Sequence, residues 1–293
     1  MLSQKIKSLQ FDDKISIGME IIPIDRDYVA KSANLTTAHR ASFYCVLWFQ
    51  EGNPTHQVDF TPIKVQPESL LFVGKDSVQF FDQGKNFKAK VLLFTDAFFC
   101  RNDDDVKYLN RTPLFQTFGS SQHCTLSVSE ELKTLWTFME QEDKTPHDRF
   151  KPILLRNYLE SFLLQAERAI GDGISSPSTN EIYKEIFFDF NKLVEEHFKE
   201  QKPVSYYSEQ LYVSPKVLSR ATRQLTGKTP KRILDERMLL EAKRLLMYDI
   251  SAGKEIGYSL GFTEPTNFIK FFRKHTGKTP LAFRAYYRQT MGM

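Results

Sequence analysis

YVSPKVLSRATRQLTGKTP (212–230) and FTEPTNFIKFFRKHTGKTP (262–280) lie fifty residues apart and share one frame without a gap. Tyr212 stands over Phe262, Pro215 over Pro265, Leu218 over Phe268, Arg220 over Lys270 and Arg223 over Arg273. Gly-Lys-Thr suggests a phosphate-binding loop, but the first glycine of that motif is replaced by Thr222 in one copy and Phe272 in the other. TGKTP reads better as punctuation. Gly227 and Gly277 suit the left-handed position that ends a helix. Thr229 and Thr279 offer hydroxyls to cap the next one, and Pro230 and Pro280 fit its first turn. Repeated punctuation means a repeated unit: a short helix, a turn, then a basic second helix. That geometry lays a helix in the major groove of DNA.

Outward from this pair, apolar spacing predicts helices over 181–199, 204–211, 214–225, 230–247, 254–261, 265–275 and 280–288. In the central one, Leu234, Met238, Ala242 and Leu245 recur at helical spacing and would pack both units onto it. The stretch GDGISSPSTN (171–180) has no apolar period and reads as a linker. Before it, 128–170 carries two helices, at 129–142 (Leu132, Leu135, Trp136, Met139) and 147–170 (Ile153, Leu154, Tyr158, Phe162, Leu163), to pack on a sheet or on a second subunit. Residues 1–127 read as short strands at 42–49, 57–60, 69–73, 77–81 and 88–94, separated by turns. The expected fold is an α+β multidomain chain: an N-terminal β-barrel or jelly roll, a helical dimerisation segment, and an all-α C-terminal domain over 181–293.

Charge follows the same division. Residues 1–180 hold 20 Lys+Arg against 23 Asp+Glu, whereas 203–293 hold 16 against 7. A basic tail on an acidic chain points to a polyanionic partner. The chain has no apolar run of membrane-spanning length, and its start lacks the apolar core of a signal peptide. Cys45, Cys100 and Cys124 are scattered and odd in number, which predicts reduced thiols in a cytoplasmic protein.

The segment KEIGYSLGFTEPTNFIKFFRKHTGKTPLAFR (254–284), the first unit, and the Arg237–Leu246 pattern R-x-x-x-x-A-K-x-L-L together resemble the AraC/XylS family of transcription regulators over about 110 C-terminal residues. The resemblance implies two helix–turn–helix units joined by a rigid helix, their second helices entering successive major grooves of double-stranded DNA. Matched position by position, it puts base reading on Lys216, Ser219 and Arg220 in the first unit, and on Thr266, Ile269 and Lys270 in the second. Arginine is the best reader of guanine, though Arg220 could equally hold phosphate. Ile269 fits a thymine methyl or a neighbouring helix. Arg223 and Arg273, with Lys228 and Lys274, fall to phosphate or solvent. Two features depart from the family. Gly253 and Gly257 replace better helix formers, which predicts a weak 254–261 helix. Thr222 stands where the second copy has Phe272, which predicts a looser first recognition helix.

The N-terminal half resembles the family's cupin-like sensor through HRASFYCVLWFQEG (39–52) and HQVDF (56–60). His39, Arg40, Tyr44, Trp48 and His56 are the candidate ligand contacts; the alternative is a filled core that takes no ligand. His39 and His56 stand isolated and Gln79 occupies a usual histidine position, so no metal and no cofactor is expected, and no enzyme chemistry. The strand 42–49 is apolar on both parities, so one face can line a barrel while the other is covered. The resemblance implies a sequence-specific regulator, a homodimer, whose small-molecule effector repositions its DNA-binding domains or its contact with RNA polymerase. Such an effector must bind the two states unequally. Two other classes are open: a cupin enzyme with a DNA-binding appendage, which bound metal would reveal, and a non-specific architectural DNA binder.

Overall fold

The computed structural model describes residues 7–11, 17–31, 35–81, 86–115, 124–171 and 181–290. They form two compact units, one up to Gly171 and one from Glu181 onward. The linker expected at 171–180 lies outside the described residues except for Gly171.

In the first unit the elements run β1 (Lys7–Leu9), β2 (Met19–Asp25), α1 (Arg26–Lys31), β3 (His39–Ala41), β4 (Tyr44–Glu51), β5 (Thr55–Val58), β6 (Thr61–Lys64), β7 (Ser69–Val73), β8 (Val78–Phe81), β9 (Lys88–Phe94), α2 (Asp96–Phe99), α3 (Asp103–Arg111), β10 (Thr125–Ser127), α4 (Glu130–Asp143) and α5 (Lys151–Ile170). The strands make two five-stranded sheets, ordered β1-β3-β8-β5-β6 and β10-β7-β4-β9-β2. Pairing is antiparallel except between β1 and β3.

Alternate side chains of a strand face opposite sides of its sheet, and β4 uses both. Cys45, Leu47 and Phe49 join Leu71, Val73, Ala89 and Val91 in the core between the sheets. Tyr44, Val46 and Trp48 join Leu70, Phe72, Leu92 and Phe94 in a second core under α4 and α5. There Trp136 of α4 meets Trp48 edge-on at 5.4 Å and Phe162 of α5 at 5.7 Å. The helices of 129–170 therefore cover the sheet.

Three local expectations change. The strand expected at 57–60 runs into a turn, because Asp59 takes a left-handed φ of 52°. Its backbone N–H bonds the Val78 carbonyl at 2.6 Å and its carboxylate accepts the Val78 N–H at 3.2 Å. Aspartate tolerates that conformation. The helix expected from 147 begins at Lys151, since the Asp148 carboxylate caps the N–H groups of Phe150 and Lys151 at 2.9 and 2.8 Å and Pro152 suits the first turn. Helices α2 and α3 appear where apolar spacing predicts none. Side chains nucleate both: Thr95 caps Phe98, and Asn102 caps Asp104 and Asp105 ahead of three acidic first-turn residues.

The second unit is helical: α6 (Glu181–His197), a 3-10 turn (Phe198–Glu200), α7 (Val204–Gln210), α8 (Pro215–Thr226), α9 (Pro230–Tyr248), α10 (Gly253–Ser259), α11 (Pro265–Thr276) and α12 (Pro280–Thr290). Helix α9 is the axis. It buries Ile233, Leu234, Met238, Ala242 and Leu246, with Leu246 rather than Leu245 taking the inner position. It also buries charge. Arg237 bonds both oxygens of Glu195 on α6 at 3.0 and 2.9 Å and lies 3.8 Å over the Phe198 ring. Glu241 bridges Arg237 and Arg244, each at 3.3 Å. Such a cluster holds only because its charges are matched.

Candidate nucleic-acid interface

The TGKTP copies are built alike. Gly227 and Gly277 sit at φ 70° and 73°, where a side chain is strained. Thr226 and Thr276 each bond back to the carbonyl four residues earlier, at 2.7 and 2.8 Å, and each accepts the N–H of the following lysine at 3.2 Å. Thr229 caps Arg232 at 3.3 Å and Thr279 caps Ala282 at 3.2 Å. The pentapeptide stops one helix, starts the next, and so fixes where each recognition helix ends.

Those helices are α8 and α11. On α8, Leu218, Ala221 and Thr222 are fully buried, while Lys216, Arg220 and Arg223 are exposed and Ser219 is half-buried. Thr222 fits where an aromatic was expected because its hydroxyl donates to the Ser219 carbonyl at 3.2 Å. On α11, Phe268 and Phe272 are fully buried; Thr266, Lys270 and Arg273 are exposed. Ile269 is 42% exposed, so packing within this unit does not account for it. Lys228 is engaged with Glu236 at 2.8 Å, one of several ion pairs that offset positive charge along α9. Arg220 bonds, through Nη1, the hydroxyl of Tyr183 on α6 at 3.4 Å.

The units differ at their turns. In the second, Gly261 takes φ 80° and Phe262 packs on Phe268 and Phe271 at 5.4 and 5.5 Å. In the first, the left-handed residue is Tyr212 itself, at φ 54° and 96% exposed. The alignment pairs Tyr212 with Phe262, but Leu218 and Ala221 stand where the second unit has Phe268 and Phe271, so no ring is there to seat it. Gly257 also proves to be more than a weak helix former. A β-carbon there would lie 3.1 Å from Phe268 Cβ, so the glycine lets α10 and α11 close on each other. Gly253 opens α10 and is not in its interior.

In the first unit a cavity of about 100 Å³ lies between the sheets, walled by Leu9, Ile24, Phe43, Leu47, Phe81 and Val91, with His39 and Gln79 among its polar members. Of the five candidate contacts only His39 lines it. His56 is fully buried behind the wall and bonds Gln79 Oε1 at 3.0 Å. Arg40 alternates with His39 and Ala41 on β3 and so belongs to the other face. Tyr44 and Trp48 face the helices: Tyr44 donates to Asp96 at 3.2 Å and stacks on Phe94, and Trp48 packs on Trp136. The cavity residues on β4 are Cys45 and Leu47. Both parities of that strand are apolar, so alternation does not reveal which one faces inward. Burial pushes the Cys45 thiol up to about 12 and the Cys100 and Cys124 thiols up to about 11, so none is a thiolate nucleophile at neutral pH. Among the described residues, no three His, Cys, Asp or Glu side chains group to hold a metal, and no helix is long and apolar enough to cross a membrane.

Residues 207–286 match a protein family described as "Helix-turn-helix domain". The chain is similar to the HTH-type transcriptional activator RhaS of Escherichia coli K12: 21% identical over 252 residues, covering 84% of this chain and 86% of that protein. The RhaS of E. coli O81 is 22% identical over 258 residues, with the same coverage. Among solved structures, the DNA-binding domain of AdpA in complex with a target DNA is 31% identical, covering 35% of this chain and 95% of that one with a TM-score of 0.32. ToxT from Vibrio cholerae is 11% identical over 91% of this chain and 98% of its own, with a TM-score of 0.44.

Proposed function

We propose that this chain, a DNA-binding transcription regulator of the AraC/XylS family, reads two elements of one operator with α8 and α11, under the control of its N-terminal unit. The observation that carries the reading is the repeated frame. Two helices with the same stop and aromatic or aliphatic anchors each present an outward strip with a basic residue: Lys216, half-buried Ser219 and Arg220 on one, Thr266, the apolar Ile269 and Lys270 on the other. Arg223 and Arg273 flank the strips for phosphate. If Arg223 and Arg273 each neutralise one phosphate, affinity should fall on the order of 10-fold between 50 and 200 mM salt. Selecting bound sites from random duplexes with the full-length protein, then titrating salt on the winner, tests this. A defined motif with that salt dependence is expected. Recovery of no motif would turn the reading toward the architectural binder.

In the same reading, 1–127 is a cupin-like sensor, 128–170 a helical dimerisation segment, 171–180 a linker and 181–293 the DNA-binding domain of a cytoplasmic homodimer. Exposed Phe138, Phe150, Ile153 and Leu164 on α4, α5 and the segment between them support a second copy as the partner of that surface. The description of its relatives as activators supports activation and contact with RNA polymerase. The cavity supports the effector's chemistry. Among the described residues that line it there is no Lys, Arg, Asp or Glu, so a charged or polyhydroxylated ligand would leave hydrogen bonds unmade. Its size suits a neutral, mainly apolar molecule of about benzene dimensions. Benzene should raise the Tm of the full-length protein by a few degrees. Ala41→Leu, which fills the cavity, should abolish that shift, and hexoses should give none. Stabilisation by a hexose would overturn this assignment.

A further inference from the structure

We infer that Tyr183 is a positioning residue for base reading: its hydroxyl sets the plane of the Arg220 guanidinium on the DNA-facing side of α8. The inference rests on Arg220 being a reader. Arginine contacts a guanine through two parallel N–H groups, so it discriminates only when the guanidinium lies in the plane of the base. An exposed arginine has many rotamers, and ordering it on binding opposes affinity. A brace formed before DNA arrives removes part of that opposition.

Tyr183 is placed to be that brace. It lies on α6 three and four residues before Ile186 and Phe187, which are buried, and one further turn before Phe190, which is fully buried. Residues at these spacings share a helix face, so the half-buried ring is seated by the contacts that hold α6 on α8. Its hydroxyl then accepts from Arg220 Nη1 at 3.4 Å. That bond uses one of five guanidinium donors, and a bidentate contact to guanine needs two more. Tyr183 lies 37 positions from Arg220 in sequence, so the contact exists only once α6 and α8 have packed. The second unit provides an internal contrast. Its matching residue is Lys270, whose ammonium is a point charge with no plane to fix.

Tyr183→Phe keeps the ring and removes only the hydroxyl. Against the selected operator, the full-length variant should lose about 3- to 10-fold in discrimination at one base position, with its Tm and salt slope unchanged. Arg220→Ala should relax the same position. Adding Tyr183→Phe to Arg220→Ala should change nothing further, which a purely structural role of the hydroxyl would not predict. Arg223→Ala is the control: it should weaken all sequences alike and reduce the salt slope by about 1. The outcomes separate the two claims. If Arg220→Ala leaves the motif intact, Arg220 is not a reader and the premise fails. If Arg220→Ala relaxes the position and Tyr183→Phe matches the parent, the brace is refuted. Tighter discrimination in Tyr183→Phe would mean that Tyr183 holds Arg220 away from the base, which also overturns it.

Discussion

Replacing Gly261 with alanine is expected to remove about 3 kcal/mol or more of stability from the C-terminal unit, a large share of what a typical domain has. Two effects add. The residue sits at φ 80°, and a left-handed conformation costs an L-residue about 1–2 kcal/mol. The new β-carbon would also fall onto the carbonyl oxygen of Lys199, whose carbonyl carbon lies 3.0 Å from that position. The obstacle is backbone, so no side-chain rotation relieves it. Either the turn between α10 and α11 opens or the 3-10 turn after α6 is pushed away. Gly227 is the matched control, since it has φ 70° and nothing within 4 Å of an added β-carbon. Gly227→Ala should cost only the conformational part, about 1–2 kcal/mol. Urea denaturation of the two full-length variants compares them directly, and equal losses would sink the steric argument.

The close approach at Gly261 also bears on how α8 and α11 are spaced. Lys199 precedes the first helix–turn–helix unit, whereas Gly261 is the turn of the second. Gln201 reinforces the contact by donating to the Leu260 carbonyl at 3.1 Å. Arg237 ties α9 to α6 through Glu195, and Arg284 of α12 caps the end of α9, donating to the carbonyls of Leu246 and Ser251 at 2.8 and 2.7 Å. Helix α9 has 19 residues and spans about 28 Å at 1.5 Å per residue. Both α8 and α11 pack on this axis, with His275 of α11 3.8 Å from Asp235 of α9, and two helices held on one rigid element suit major-groove faces one turn, roughly 34 Å, apart. The operator is therefore expected to carry two elements about 10–10.5 base pairs apart. Inserting five base pairs would turn one element to the far side of the duplex. Affinity should then drop to that of a single element, a loss of several orders of magnitude if half the binding free energy vanishes. Footprinting on both DNAs decides it: equal protection of both elements after the insertion would rule out a rigid pair.

The C-terminal unit was legible because its signals are local. A glycine that ends a helix and a threonine that caps the next act within a few residues, so TGKTP carries its meaning in the sequence. Where tertiary contact decides, the sequence is silent or misleading. Gly257 counts as a poor helix former on propensity, but Phe268 sets its value. Tyr183 carries no motif, and its bond to Arg220 appears only when α6 and α8 meet. In the N-terminal unit, Tyr44 and Trp48 came from the resemblance of 39–52 to a sensor domain, whereas their contacts with Phe94 and Trp136 turn them toward the helices. The turn at Asp59 was hidden because its left-handed backbone is stabilised by Val78, nineteen residues away.

Strand β4 has a further consequence, for divergence rather than for binding. Its odd-numbered residues Cys45 and Leu47 meet the cavity and its even-numbered Tyr44, Val46 and Trp48 seat the helices, so two jobs are interleaved on one ribbon without sharing a side chain. Exchanging Cys45 or Leu47 alters the chemistry of the chamber and leaves the bed of α4 and α5, made by Tyr44, Val46 and Trp48, as it was. A lineage built on this sheet can change the lining of its cavity by single substitutions while the surface that its helices present stays constant.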